Sequence, residues 1–390
     1  MSSTLIQILF WLSLALLFHA YIGYPLLMLC LARLRDPNLQ PSTRNPQLPQ
    51  VTVVIAAHNE ETRIAARLQN LLASDYPKNK LAILVIADGC TDTTVSKIQT
   101  LANPQLHLLI EPRRAGKASA LNHALAASTG DIIVFADVRQ RFTPDAITRL
   151  VRHFNDLQTG AVSGQLIIET ATSATGSGVD TYWKIEKILR RAEAIWDSSI
   201  GCTGAIYAIR RNLFQPIPTD TILDDVVIPM QIAQQGYRIA FEPAACAYDP
   251  QTLEPEREQI RKRRTLSGNY QMLCRHPAWL LPWRHRLWWQ LISHKYLRLA
   301  SPFLLLTTFA ANTLLLAQKI FWLPFLAQIL FYSLALYGLK HTGKKNRLLS
   351  LPAGFTFLNW MALAALWHFL RNRNSGGWEL ASHTKPNGHV

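Results

Sequence analysis

The sequence predicts an α/β domain flanked by transmembrane helices, and three observations lead there. Short apolar runs, Val51 to Ala57, Leu81 to Ala87 and Ile132 to Ala136, are each cut off by polar residues and separated by stretches of helical character. Strands buried on both faces of a sheet read as continuous apolar runs, and their alternation with helices is the α/β pattern. Long charge-free stretches lie toward both ends of the chain. Acidic residues fall where predicted strands stop, in Asp88-Gly89-Cys90-Thr91-Asp92, Asp137-Val138-Arg139 and Asp224-Asp225, inside an otherwise apolar, basic protein. Carboxylates gathered along one edge of such a sheet suit a nucleotide and a metal ion.

Residues 1–35 read as an N-terminal anchor. Leu5 to Leu31 contains no charged residue and exceeds the ~20 apolar residues needed to cross a bilayer. A cleaved signal peptide is the rival reading, but no Lys or Arg precedes the run and it is too long for a signal core. Residues 36–49, rich in Pro, Asn, Gln and Ser, form a linker. The globular domain is expected over 50–275. Val51 to Ala57 is its first strand, followed by His58-Asn59-Glu60-Glu61 and a helix through Leu72. Leu81 to Ala87, His107 to Ile110 and Ile132 to Ala136 are the next three strands. After residue 178, Val179, Trp183, Ile185, Ile188 and Leu189 share one helical face, with Lys184, Glu186, Arg190 and Arg191 opposite, as in an amphipathic packing helix.

Residues 276–297 interleave Trp279, Trp283, Trp288 and Trp289 with Arg284, His285, Arg286 and Lys295 directly before a span, as in an amphipathic helix lying among lipid headgroups. Residues 298–372 form a C-terminal membrane region with two or three spans. Leu299 to Ala317 and Ile320 to Leu339 are split only by Gln318-Lys319, which predicts a tight helical hairpin; Leu351 to Leu370 follows, then a tail over 373–390. Lys340, Lys344, Lys345 and Arg347 mark their connection as cytoplasmic.

The net charge of +15 is concentrated beside apolar segments, at Arg33, Arg35, Arg284, Arg286 and the basic connection. Anionic lipid headgroups and a nucleoside diphosphate account for it more economically than nucleic acid. The five cysteines, Cys30, Cys90, Cys202, Cys246 and Cys274, are odd in number and include no CxxC pair, which argues against a disulfide framework and for a reducing cytosol.

A turn such as Asp88 to Asp92 bends through its glycine and presents acceptors to a base or ribose, although Asp-Gly and Thr-Asp pairs also serve as plain turns and caps. Arg113-Arg114-Ala115-Gly116-Lys117-Ala118 opens a helix containing Leu121-Asn122, and basic side chains beside helix N–H groups make an anion site. It is not a Walker loop, because Glu111 stands where that pattern needs glycine and Ala118 where it needs a hydroxyl. No GxGxxG follows the first strand, which counts against a dinucleotide-binding oxidoreductase. Asp137 can ligate a hard divalent cation or cap its own turn. Of Asp224 and Asp225, one can cap a helix while the other projects into a cleft; mutual repulsion would raise one pKa and suit a general base.

Taken together, Val53-Val54-Ile55-Ala56-Ala57-His58-Asn59-Glu60, Asp88-Gly89-x-x-Asp92, Gly116-Lys117-x-x-Ala120-Leu121-Asn122, Asp137, Gly201-x-x-Gly204-Ala205 and Asp224-Asp225 follow the order found in membrane-bound family 2 glycosyltransferases. The chain resembles that family from about residue 50 to residue 275. The resemblance implies a GT-A nucleotide-diphospho-sugar transferase domain with a mixed, mostly parallel sheet, inverting chemistry, and UDP or another nucleoside diphosphate as leaving group. Matched residue by residue, Ala57, Asn59, Glu60, Asp88, Lys117, Asp137 and Arg139 would bind the nucleotide sugar, with Asp88 on the base and Asp137 on the ribose or an Mg2+ or Mn2+ ion. Gly204, Arg261 and Arg264 would meet acceptor or diphosphate. Asp225 would be the catalytic base and Asp224 its acidic partner.

Two positions depart from the family's pattern. Its DxD motif reads Asp137-Val138-Arg139, so a cation replaces the second acid and can itself neutralise phosphate. The QxxRW of processive members reads Arg261-Lys262-Arg263-Arg264-Thr265, which keeps an arginine and loses the aromatic platform.

The resemblance implies sugar transfer to a membrane-associated saccharide or lipid acceptor, in envelope or extracellular polysaccharide or glycolipid synthesis. Transfer to a polyprenyl phosphate is the alternative, and its anionic acceptor needs no base. A transporter would line its pathway with intramembrane charges, and the candidate spans carry almost none. With Arg33 and Arg35 just after the first span, the charge rule puts the N-terminus outside and the catalytic domain in the cytosol, at a multi-pass plasma-membrane protein. Four spans would place Arg371 and Arg373 outside, against that rule, so either one apolar segment does not cross or the tail is an exception.

Overall fold

The computed structural model describes residues 3–35, 48–168, 176–250, 255–341 and 347–371. Most of the expected linker, Lys344, Lys345, Arg373 and the tail lie outside the described residues, as do the side chains of Val179 and Trp183. In chain order the elements begin with α1 (Ser3–Phe18), a π-turn at His19–Gly23 and α2 (Tyr24–Arg33). Then come β1 (Val51–Ala57), α3 (Ile64–Leu72), β2 (Leu81–Asp88), α4 (Thr94–Thr100), β3 (Leu106–Glu111), α5 (Lys117–Ala127) and β4 (Ile132–Ala136). They continue with β5 (Arg141–Phe142), α6 (Ala146–Arg152), β6 (Thr159–Ile168), α7 (Gly176–Trp196), β7 (Ile206–Arg210), α8 (Asp224–Gln234), β8 (Arg238–Asp249) and α9 (Pro255–Arg275). A three-residue α10 (Trp288–Gln290), α11 (Leu297–Leu314), α12 (Trp322–Lys340) and α13 (Arg347–Arg371) complete the chain.

All eight strands join one sheet in the order β3-β2-β1-β4-β7-β6-β8-β5. The β3-β2-β1-β4 half is parallel, β7 runs antiparallel between β4 and β6, and β6 pairs parallel with β8. Parallel pairing forces every connection to cross a face of the sheet, and the helices do this. Val53, Ile55, Ile83, Val85 and Val134 are buried with Ile64, Leu68 and Leu71 of α3 and Ile147 and Leu150 of α6. Each such side chain contributes about 1.5–3 kcal/mol of burial. Register sets the site: Ala57 lies opposite Ala87 and Val54 opposite Phe135, so β1, β2 and β4 end at the same edge.

The chain divides into two compact units, one built on this sheet and the other on helices from 1–39, 170–200 and 273–368. In the helical unit α1 lies antiparallel to α11: Phe10 packs with Ala311, Leu315 and Phe321, Thr308 Oγ1 donates to Ser13 Oγ at 2.8 Å, and Tyr21 OH donates to Ser301 Oγ at 3.0 Å. Among the described residues, three helices are long and apolar enough to cross a membrane: Ser3–Arg33, Lys319–Lys340 and Leu348–Arg371. The expected span Leu299 to Ala317 is not among them. Arg298, Ser301, Thr308 and Asn312 interrupt its apolar character, and these groups are buried or half-buried within the unit. The hairpin itself forms, with Phe309 stacked on Phe325 across it.

Two further expectations are corrected. Residues 276–297 do not make one amphipathic helix. A 3₁₀ turn at Pro277–Leu280 and a π-turn at Leu291–Tyr296 bracket α10, because Pro277 and Pro282 lack the N–H groups a continuous helix would use. Trp279 is buried on His276 at 4.1 Å, so it packs, while Trp283 alone of the four tryptophans is strongly exposed. The expected faces of α7 hold only in part: Leu189 is buried and Arg191 exposed as the pattern predicts, but Ile185 and Ile188 are exposed and Glu186 and Glu193 are buried.

Charge pairing explains the departure. His294 Nδ1 lies 2.8 Å from Glu193 Oε1, and its Nε2 lies 3.0 Å from Glu186 Oε2. Arg298 reaches the same Glu186 oxygen at 3.0 Å, Arg190 pairs with Glu186 Oε1, and Tyr24 OH donates to Glu193. With a carboxylate at each ring nitrogen, His294 is doubly protonated and donates twice. Burial by itself would lower His294, but Glu186 and Glu193 raise it above its ordinary value, and the same cations hold Glu186 well below its own.

A histidine raised by folding stabilises fully below its unfolded value of 6.5 and loses that contribution as pH climbs through the folded value. Thermal unfolding of detergent-purified protein should therefore soften on the alkaline limb. His294→Ala should cost about 3–5 kcal/mol by stranding buried carboxylates and flatten that limb. A variant with wild-type stability across the range would contradict the pairing.

Candidate active site

The loops leaving β1 and β2 are laced together. Asn59 adopts φ +52°, a conformation asparagine tolerates, and its Oδ1 accepts from Thr91 N at 2.9 Å. Glu60 N donates to Thr94 Oγ1 at 2.8 Å, and Asp92 accepts from Glu61 N at 3.1 Å and Thr94 N at 3.0 Å. Ala57, Asn59 and Glu60 thus form one rigid rim of the sheet edge.

Asp88, expected to contact a base, has another task. Only 1% of it is exposed, and its two oxygens accept from Ala115 N at 2.7 Å and Gly116 N at 2.8 Å. The carboxylate holds the loop that launches α5. Gly89 makes the contact possible: at φ +60° a Cβ there would stand 2.4 Å from Arg114 N. Both residues position Lys117, the first residue of that helix.

The Lys117 ammonium lies 3.3 Å from Asp137 Oδ1 and 3.3 Å from Asp224 Oδ2. Burial would lower it, yet Asp137, Asp224 and Asp225 hold it above the usual lysine range against the opposing charge of Arg264. Strand edge, α5 and α8 therefore meet at one cation, which Asp137, Asp224 and Asp225 face, while Asp88 holds the loop before α5.

Asp224 and Asp225 occupy the first turn of α8, where the helix dipole favours negative charge. Their repulsion is divided between two partners: Asp224, buried, pairs with Lys117, and Asp225, half-buried, accepts from Gly204 N at 3.1 Å. Cys202 N donates to Asp225 O at 2.7 Å, and a Cβ at Gly204 would approach Asp225 Oδ2 to 2.9 Å. The Gly201 to Gly204 loop is a cradle for Asp225 and has no room for a side chain at Gly204.

Residues that sequence reasoning passed over complete the frame. A Cβ at Gly268 of α9 would come within 2.6 Å of Leu223, and Gln271 bonds Ile222 N and Asp220 O at 2.9 Å each. These contacts fix the turn that presents Asp224 and Asp225. Arg261 and Arg264, half-buried and a turn apart on the same helix, follow from that docking. Tyr207 lies buried among the acids with its ring 4.2 Å from Phe135. Asp249, at the end of β8 and 1% exposed, accepts from Arg139 Nη2 at 2.6 Å and Gln140 Nε2 at 3.2 Å. An acid closing the apolar run Ala244 to Tyr248 was the available signal.

The residues around Asp137 do not fit a divalent cation. Its carboxylate faces an ammonium, the second position of the motif is a guanidinium, and among the described residues no group of three His, Cys, Asp or Glu could hold a metal.

Asp88→Asn turns one acceptor into a donor facing a backbone N–H, and should cost about 1–3 kcal/mol of stability. His123→Gln, at an exposed residue paired with Glu111, should cost less than about 1 kcal/mol. Equal melting shifts for the two variants would contradict the loop-holding role.

Comparison with known proteins agrees with this geometry. Residues 52–217 match the family model described as Glycosyl transferase family 2. The chain is 28% identical over 249 residues to the probable glycosyltransferase YdaM of Bacillus subtilis (strain 168), covering 60% of this chain and 58% of that protein. It is 26% identical over 247 residues to the poly-beta-1,6-N-acetyl-D-glucosamine synthase of Staphylococcus aureus (strain COL), covering 61% of this chain and 59% of that one. The match thus spans under three fifths of these relatives' length. Among solved structures, the mannosyltransferase PcManGT from Pyrobaculum calidifontis, in complex with GDP-Man and Mn2+, is similar with a TM-score of 0.69 at 26% identity, covering 94% of this chain and 100% of that chain. On motif order, sheet topology and these likenesses together, residues 52–217 carry a glycosyl transferase family 2 domain, and the sheet has the GT-A fold.

Proposed function

We propose that this protein is an inverting glycosyltransferase that moves a sugar from a nucleoside-diphosphate sugar to a membrane-associated saccharide or lipid acceptor, in envelope or extracellular polysaccharide or glycolipid synthesis. The observation that carries the reading is the Lys117 ammonium between Asp137 and Asp224, one residue from Asp225. Asp225 removes the proton of an acceptor hydroxyl as its oxygen bonds the anomeric carbon. The carbon–oxygen bond to the donor breaks, and its electron pair leaves on the diphosphate. Displacement from the opposite face inverts the anomeric centre. Lys117, with Arg264 and Arg139, stabilises the developing charge. The nucleotide lies along Ala57, Asn59 and Glu60, over the loop that Asp88 holds, and Gly204 and Arg261 border the acceptor side.

The poly-N-acetylglucosamine synthase likeness favours a UDP-sugar and a growing glycan, and GDP-Man in the mannosyltransferase makes a GDP-sugar the competing donor. The resemblance would set Mg2+ or Mn2+ at Asp137, as the Mn2+ of that complex also suggests. The donor set does not supply such a site, and no step here depends on one. Helices of spanning length support a multi-pass protein of the cell membrane with its GT-A domain on the cytosolic side.

Mass spectrometry of products from purified protein in membranes, given UDP- and GDP-sugars with lipid and saccharide acceptors, tests the activity. Asp225→Asn should keep nucleotide-sugar binding and lower turnover by about 10²–10⁴-fold. Full turnover in that variant would remove the proposed base and favour a polyprenyl phosphate acceptor. No transfer from any donor would remove the activity.

A further inference from the structure

We propose that protein cations alone, Lys117 and an Arg139 positioned by Asp249, neutralise the departing diphosphate in place of a divalent metal ion. The inference rests on the glycosyltransferase reading and concerns how that same site handles charge.

The first observation is what occupies the space between the acids. A metal ion at Asp137 needs carboxylate oxygens that are free to turn toward it. Here Asp137 and Asp224 converge on one ammonium, at 3.3 Å each. A divalent ion entering there would have to displace the lysine or lie against it, two positive charges within a few ångströms.

The second observation concerns the acid missing from the motif. Arg139 stands in its place, and the acid that accompanies it lies 110 positions further on, at Asp249. Asp249 is buried, and its Oδ2 accepts from both Arg139 and Gln140. The bond from Nη2 fixes one edge of the guanidinium. Nε is buried and has no hydrogen-bond partner among the described residues. Such a donor costs stability unless something accepts from it. A phosphate oxygen is the acceptor a planar guanidinium matches best. Asp249 is therefore a positioning residue: it acts through Arg139 and has no bond to substrate of its own.

The experiment uses the full chain in detergent micelles and calorimetric titration with UDP and with GDP, in EDTA and in excess MnCl2. For whichever nucleotide binds, the dissociation constant should agree between the two conditions within about threefold. Arg139→Ala and Asp249→Asn should each weaken the diphosphate by about tenfold while leaving the bare nucleoside unchanged. Arg139→Lys, which keeps the charge, should recover part of that loss. A merely structural role for Asp249 would weaken nucleoside and diphosphate alike, and that outcome overturns the positioning. Binding that appears only with Mn2+ overturns the metal-free site while leaving the glycosyltransferase reading in place. Absence of binding by either nucleotide under both conditions overturns both.

Discussion

A single ammonium ion among carboxylates is the constraint on which the sheet unit depends. Lys117 cannot be buried unless acids surround it, and Asp137, Asp224 and Asp225 cannot crowd together unless a cation lies between them. Each partner comes from a different part of the chain, so the compensation works only if β4, α5 and α8 are placed first. The surrounding details serve that placement. Asp88 and Gly89 hold the loop before α5, Gly201 and Gly204 admit the first turn of α8, and Gly268 and Gln271 press the preceding turn into position. The functional groups are few, and most of the conformationally special residues exist to bring them within reach of one another.

Much of the parallel half was legible from local chemistry. β1 and β4 have the limits Val51–Ala57 and Ile132–Ala136 that their apolar runs predict, and β2 and β3 extend those predictions by a residue at one or both ends. Burial on both faces leaves an unbroken apolar signature. The mixed half carries no such mark. β6 is interrupted by Gly160 and Gly164 and β8 by Pro243, and their partners are distant in sequence. The site shows the same division. Lys117, Asp137, Asp224 and Asp225 stand out because each punctuates a regular element. What a carboxylate's oxygens touch is not a local property, so Asp88 read as an open acceptor when both its oxygens are engaged by backbone N–H groups. Asp249 and Gln271 escaped notice because their meaning lies in partners far along the chain.

The helical unit shows how pairing overrides periodicity. An amphipathic pattern on α7 predicts its isoleucines inside and its charges outside, and Glu186 and Glu193 turn inward instead because His294 and Arg298 offer enough hydrogen bonds to make burial tolerable. α11 likewise turns several polar residues into packing contacts with α1, Thr308 on Ser13 and Ser301 on Tyr21. In both cases composition was read correctly and direction was not.

The buried glutamates of α7 also bear on how the chain is made. Glu186 and its imidazolium partner are separated by 108 positions, and synthesis delivers the acids long before the bases. Until His294 and Arg298 emerge, those carboxylates have only Arg190, Tyr24 and water to answer them, and α7 lacks the partners that bury its acidic face. Closure of the helical unit is thereby deferred until His294 and Arg298 are translated, which leaves the sheet unit free to nucleate earlier from the contiguous β1 to β4 stretch.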